Sequence, residues 1–215
     1  MCVIHVVAPS VLQNVALNMA AERSGPSQSG AARLATDGIN NTCTVTNIEL
    51  HPWWRVDLVH LYTVWHVTVS NFEQQQPALR DLAIWMSIND TAVPPSDGSL
   101  CGTYSSPSWH VGVSHVTCVQ PPVLARYVSL IAHDKVETKL RLCEVQVFGQ
   151  LVTCPAFTPT VGEKYTEPTC TSEKKFYNDT CEVSCELGYN LTSSDGVHKC
   201  TVNGTWSNNV TCERT

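Results

Sequence analysis

The sequence predicts an all-β protein in two parts, an antiparallel β-sandwich followed by a small disulfide-rich β module. Three observations carry this. Short β-branched and aromatic runs recur between clusters of Pro, Gly, Asn and Ser. No heptad and no sustained 3.6-residue period appears. Eleven cysteines occupy 215 residues, and six of them (Cys154, Cys170, Cys181, Cys185, Cys200 and Cys212) frame the last quarter of the chain.

In chain order, residues 1–13 read as a leader or linker remnant. Met1–Ala8 is apolar but has neither a basic n-region nor a clear cleavage site. Cys2 is the odd cysteine of the eleven. The sandwich is expected over residues 14–150. Its strand candidates are Trp54–Leu58, Tyr62–Val69, Leu82–Ile88, Arg126–Ile131 and Leu142–Phe148. Within Tyr62–Val69, Trp65, Val67 and Val69 form the more apolar face and are expected to point at the core, opposite Val64, His66 and Thr68. Pro94-Pro-Ser-Asp-Gly98 reads as a loop from its turn residues. The second module is expected over residues 151–215.

Crowded cysteines mean disulfides or zinc. Zinc sites show paired Cys-x2-Cys or Cys/His knuckles. Here Cys181-x3-Cys185 has no companion knuckle, which favours disulfides and an oxidising compartment. Six N-glycosylation sequons agree with a solvated extracellular surface; they start at Asn40, Asn89, Asn178, Asn190, Asn203 and Asn209. The net charge of -6 comes without a basic block, so nucleic acid is not expected as a partner. No stretch approaches the roughly 20 apolar residues of a membrane span. Either a secreted chain or part of a larger ectodomain fits these features.

The six-cysteine frame, with Cys185-Glu-Leu-Gly-Tyr189 and Gly204-Thr-Trp206 inside it, resembles a sushi (complement control protein) module. The resemblance implies Cys154–Cys200 and Cys185–Cys212. The additional Cys170 and Cys181 would then pair with each other, as in the six-cysteine modules of selectins. Spacing alone leaves 15 connectivities open for six cysteines. Trp206 and Tyr189 are expected to pack on these bridges.

Residues 14–149 resemble an F-type lectin (fucolectin) domain. The likeness lies in Asn18-Met-Ala20, Gln28-Ser29, Ala35-Thr-Asp-Gly38, Pro52-Trp-Trp-Arg-Val-Asp-Leu58, Arg126-Tyr-Val128 and Leu142-Cys-Glu-Val145. It implies a jelly-roll β-sandwich, an architecture shared with discoidin-type domains. Disulfide reasoning agrees: Cys43 with Cys143 would tie the first strand region to the last, and Cys101 with Cys118 would close a loop. Each bridge is worth about 3 to 5 kcal/mol in the chain-entropy picture.

The same resemblance implies a structural Ca²⁺. Its side-chain ligands would be Asp37, Thr42 and Glu144, with backbone oxygens around Leu34, Ile39 and Asn40. A Cys43–Cys143 bond would hold Thr42 beside Glu144. Carboxylates, a hydroxyl and carbonyls form a hard oxygen set suited to calcium. The alternative is that Asp37 caps a turn and Glu144 is a solvated strand residue. A glycan at Asn40 would crowd this loop.

The sugar-binding pattern of the family is a His followed at distance by Arg-x-Asp and a further basic residue. In this chain it falls on Val45, Phe72, Gln74 and Leu79. Val, Phe and Leu carry no side-chain donor for a sugar hydroxyl. Arg80, one step off in register, and His51 are the candidate replacements. The expectation is therefore an extracellular carbohydrate-recognition protein with its usual fucose-binding residues substituted. Its partners would be glycans on cell or microbial surfaces, with oligomerisation supplying avidity. The alternative is a lectin-derived module that binds extracellular proteins and has no fucose affinity. No nucleophile elbow, His-Glu-x-x-His, phosphate loop or dinucleotide fingerprint is present in the sequence, so an enzyme is not expected.

Overall fold

A computed structural model describes residues 12–26, 30–71, 79–90, 92–110, 112–118, 122–133, 135–192, 195–207 and 210–215, with the side chains of 79–80 and 106–110 left out. The chain divides into two compact units, Met1–Gln150 and Leu151–Thr215.

The first unit contains β1 (Gln13–Asn14), β2 (Ala21–Arg23), a 3-10 turn (Ala32–Ala35), β3 (Thr44–Val45), β4 (Trp53–Asn71), β5 (Leu79–Ser87), β6 (Ser99–His110), β7 (Gly112–Thr117), β8 (Val123–Ala132), β9 (Arg141–Leu142) and β10 (Glu144–Leu151). The main hydrogen-bonded order is β1-β10-β4-β8-β5-β6, with β2 and β7 also on β4, while β3 pairs β9 separately. The pairings of β1 with β10, of β2, β7 and β8 with β4, of β5 with β6 and β8, and of β3 with β9 are antiparallel. The result is a jelly-roll β-sandwich.

The two runs Trp54–Leu58 and Tyr62–Val69 are one strand. β4 crosses from one part of the sheet to the other where its register against β8 shifts between Asp57 and Tyr62, and Val59 adopts φ +69 there. Alternation also breaks further on. Val64, Val67 and Val69 are fully buried, whereas Trp65, expected in the core, is only half-buried. The physical cause is a change of partner: Val64 pairs with Val123 of β8, but His66 already pairs with Thr117 of β7. Sequence alternation assumes one continuous ladder, and here there are two.

The Trp-Trp-Arg-Val-Asp-Leu block builds the scaffold. Trp54, Val56 and Leu58 are fully buried, and the Trp54 indole N–H donates to the Ala32 carbonyl at 2.9 Å. The opposite face carries ion pairs. Arg55 bonds Glu22 and Asp90 and lies 5.2 Å from the Tyr127 ring centre. Arg126 forks onto both oxygens of Asp57 at 2.8 and 2.9 Å. Cys43–Cys143 and Cys101–Cys118 are both formed.

The second unit holds β11 (Thr153–Cys154), β12 (Glu163–Tyr165), α1 (Thr169–Ser172), β13 (Lys175–Phe176), β14 (Thr180–Cys185), β15 (Tyr189–Leu191), β16 (Val197–Lys199) and β17 (Cys212–Arg214). Short ladders this small bury little apolar surface, and bridges stand in for a core. The pairings are Cys154–Cys200, Cys170–Cys181 and Cys185–Cys212. Trp206 is only half-buried. It stacks on Phe157 with ring centres 4.5 Å apart, and its indole N–H donates to the Pro155 carbonyl at 2.9 Å. Tyr189 covers Gly162, whose φ of +88 and ring contact leave no room for a side chain.

Candidate functional site

Two neighbouring places on the first unit carry the expected chemistry, joined by the Cys43–Cys143 bridge.

The first is an oxygen cluster. Asp37 follows the 3-10 turn, and Gly38 takes φ +78. In that left-handed conformation its N–H donates to Glu144 Oε2 at 3.2 Å. Asp37 Oδ1 accepts from the Ile39 N–H at 2.9 Å. The Thr42 hydroxyl oxygen lies 3.0 and 2.8 Å from the two Asp37 oxygens and 2.9 Å from the Ile39 carbonyl oxygen. One hydroxyl proton cannot serve three acceptors, so acceptor oxygens crowd together in excess of protons. The bridge sets Thr42 and Glu144 on adjoining chain segments. Glu144 is 1 % exposed, and its Oε1 has no hydrogen-bond partner among the described residues. Burial pushes its pKa up to about 7, the Gly38 N–H opposes this, and the Asp37 charge adds to it.

A buried carboxylate oxygen with no donor is costly, and a hard cation is the group that would relieve it. The residues present therefore fit calcium: Asp37, Thr42 and Glu144 by side chain, Ile39 by its carbonyl. Leu34 lies in the 3-10 turn and Asn40 is exposed at the loop tip. Among the described residues no three His, Cys, Asp or Glu side chains gather as a metal site. Two carboxylates are all this cluster has, and its remaining oxygens come from a hydroxyl and the backbone. The expectation that Glu144 might be a solvated strand residue does not hold.

The second place is the mouth where the family's sugar donors would stand. Val45 of β3 pairs directly with Arg141 of β9, so the two side chains share a face. Arg141 is half-buried, and burial pulls its pKa below the usual guanidinium range. Beside them Asn71 ends β4, fully buried, with no partner for its Nδ2 among the described residues. The Ser70 carbonyl accepts the Cys143 N–H at 2.9 Å, which fixes the end of β4 against the bridge. Phe72 and Gln74 lie outside the described residues. Leu79 and Arg80 are in β5, where Leu79 faces His110 and the register shifts before Asp81; their side chains are outside the description.

His51 is not on a strand. It is exposed, adopts φ +56, and its described neighbours are Ala132 and His133. Sequence reasoning missed Arg141 as a candidate donor. No sequence signal marks it, because its closeness to Val45 is a matter of register between strands far apart in the chain.

In the second unit, Phe157 packs against Tyr165, His198 and Trp206 with ring centres 4.8, 4.5 and 4.5 Å away. These rings line a groove of about 520 Å³ with Glu163 and Thr211. Burial, and after it the Glu163 charge, pushes the Tyr165 hydroxyl up to about 12. The sequon asparagines Asn40, Asn89, Asn178, Asn190 and Asn203 are exposed; Asn209 lies outside the described residues. Among the described residues no helix is long and apolar enough to cross a membrane.

Comparison with known proteins agrees with this architecture. A family profile described as a NedA-like, galactose-binding domain matches residues 34–130, and one described as a Sushi (SCR) repeat matches residues 154–212. Fucolectin-1 of Anguilla japonica is 30% identical over 151 residues, 64% of this chain and 81% of that protein. Among solved structures, a fucolectin from Morone saxatilis (striped bass) serum aligns with a TM-score of 0.59 at 27% identity. That match covers 72% of this chain and 54% of that one. The lectin domain of lectinolysin, solved in complex with Lewis B antigen, aligns with a TM-score of 0.55 at 25% identity. It covers 64% of this chain and 97% of that domain.

Proposed function

Because the chain belongs to the fucolectin (F-type lectin) family and continues into a sushi repeat, we propose that it is an extracellular carbohydrate-recognition protein with a calcium-stabilised scaffold and a rearranged sugar site. The ligand class is fucose-type glycans, as the names of its relatives suggest. Five disulfides and the exposed sequons support secretion into an oxidising compartment. The relatives are lectins and binding modules by name, which supports binding without catalysis.

The single observation behind a rearranged site is the Val45–Arg141 pair. Val45 stands where the family places a donor, and Arg141 brings a charged one to the same face. A guanidinium gives forked, charge-assisted hydrogen bonds to vicinal hydroxyls. Calcium would fasten the loop from Asp37 to Thr42 to the start of β10, three residues from Val45 through Cys43, and so hold the mouth's base rigid.

The second reading is an adhesion module without sugar affinity. The substitutions at Val45, Phe72 and Leu79 favour it, since each removes a donor.

A broad glycan array probed with multimerised, glycosylated protein in calcium and in chelator separates the two. Calcium-dependent binding to fucosylated glycans, lost in Arg141→Ala, supports the rearranged lectin. A folded multimer that binds no glycan supports the adhesion reading.

A further inference from the structure

We propose that His51 and His133 form a surface site for a borderline transition-metal ion of the zinc or copper class, independent of the lectin reading and of the calcium-type cluster. Both side chains are exposed, and their ring centroids are 5.6 Å apart with planes tilted by 51°. A tetrahedral ion bonded at about 2.1 Å to one nitrogen of each ring would set the centroids roughly 5 Å apart. The observed separation is close to that value.

The tautomer is already suitable. Nδ1 of His51 lies 3.3 Å from the Ala132 carbonyl oxygen. A carbonyl can only accept, so this contact favours the tautomer with its proton on Nδ1. A histidine that gives one ring N–H to a carbonyl while the other nitrogen points to a metal is the recurring second-layer pattern of metal sites.

The backbone holds His51 there at a cost. Its φ of +56 is left-handed, a conformation that a Cβ resists sterically. It persists because the chain is pinned on both sides. Glu49 and Thr138 exchange backbone hydrogen bonds at 3.0 and 2.9 Å, and the Pro52 carbonyl accepts the Ala132 N–H at 3.0 Å. His133 is fixed in turn by its N–H to the Asp81 carbonyl at 2.9 Å. Residues kept in strained backbone by their surroundings concentrate at functional sites.

Imidazole nitrogens select borderline ions, whereas the Asp37–Glu144 cluster offers only oxygen. The two sites therefore do not compete. Two protein ligands leave positions open on the ion, to be filled by water or by a donor from a bound partner. The other described histidine pair is unsuited: His66 stacks on Phe148 at 4.5 Å, and His115 Nδ1 is engaged by Thr68 at 3.1 Å.

The test is calorimetric titration of the calcium-loaded, glycosylated full chain with Zn²⁺, Ni²⁺ and Cu²⁺, in a Cys2→Ser background that removes the eleventh cysteine. One equivalent of each ion is expected, with Cu²⁺ tightest. His51→Asn, which tolerates the left-handed backbone, and His133→Ala should each weaken uptake about tenfold or more. The double variant should lose stoichiometric uptake. His115→Ala should leave uptake unchanged, and metal-free thermal midpoints of the variants should stay near that of the parent. Absence of stoichiometric uptake, or uptake that survives both substitutions, overturns the site. Neither result depends on whether the protein binds glycans.

Discussion

The oxygen cluster and the sugar mouth stand three residues apart across the same disulfide, and they have diverged. Where the resemblance implies oxygen ligands, Asp37 and Thr42 share hydrogen bonds and Glu144 reaches Gly38; where it implies sugar donors, the sequence has Val45, Phe72, Gln74 and Leu79. The difference teaches which site the fold depends on. Glu144 is buried at the start of a core strand, so replacing it would leave a defect that the whole sandwich feels. Val45 lies half-buried on a two-residue strand, where a substitution disturbs the core less.

The largest expected effect tests the shared element. Removing the bridge with Cys43→Ser and Cys143→Ser together releases a loop of 100 residues in sequence separation. About 4.7 kcal/mol of stability should be lost in the chain-entropy picture, read as a lower urea midpoint. A loss near zero would mean that β3 and β9 hold both sites without it.

Next is the cation itself. Calcium at a hundred times its dissociation constant should stabilise the fold by about 2.7 kcal/mol. Chelator should remove that gain, and Glu144→Gln should make the thermal midpoint insensitive to calcium. A midpoint that ignores calcium in the parent protein would count against the oxygen cluster as a cation site.

The third expectation is a pH dependence with a definite sign. Without calcium, Glu144 has a folded pKa raised from 4.5 to about 7. The folded state then binds the proton more tightly than the unfolded one. This contribution to stability is full below pH 4.5 and is lost as pH rises through about 7. Calcium needs the ionised form, so its stabilising shift should grow from pH 5.5 to pH 8. Melts in chelator and in calcium across that range read both halves, and equal calcium shifts at the two ends would sink the assignment of Glu144 as a ligand.

The smallest effect on stability belongs to the mouth. Val45→His, Phe72→Arg and Leu79→Arg together should change stability by less than about 1 kcal/mol. Fucose affinity should appear in a monosaccharide titration if the backbone still presents the ancestral pocket. No affinity from a folded triple variant would show that the rim has moved along with its side chains.

Much of the fold was legible in the sequence. Period-two runs, turn residues and the six-cysteine frame are local signals, and the resemblance to two families supplied the bridges. Trp65 was misplaced because alternation cannot anticipate that β4 changes partner between Val64 and His66. His51 was named as a replacement donor, and its place off the strands, at positive φ beside Ala132 and His133, leaves no mark in the sequence. The oxygen cluster was singled out only through the family pattern, and its crowding of oxygens around one hydroxyl proton was not legible at all.

By itself, the sequence determined an all-β chain of two modules, because strand runs, turn residues and a cysteine frame depend on residue type and local spacing. Only the tertiary structure decided that Arg141 faces Val45, that Glu144 keeps an unsatisfied buried oxygen, and that His51 meets His133. Each of those depends on register and loop closure between segments distant in the chain. There the free energy comes from packing and bridge formation across the whole sandwich, and no local stretch of residues encodes it.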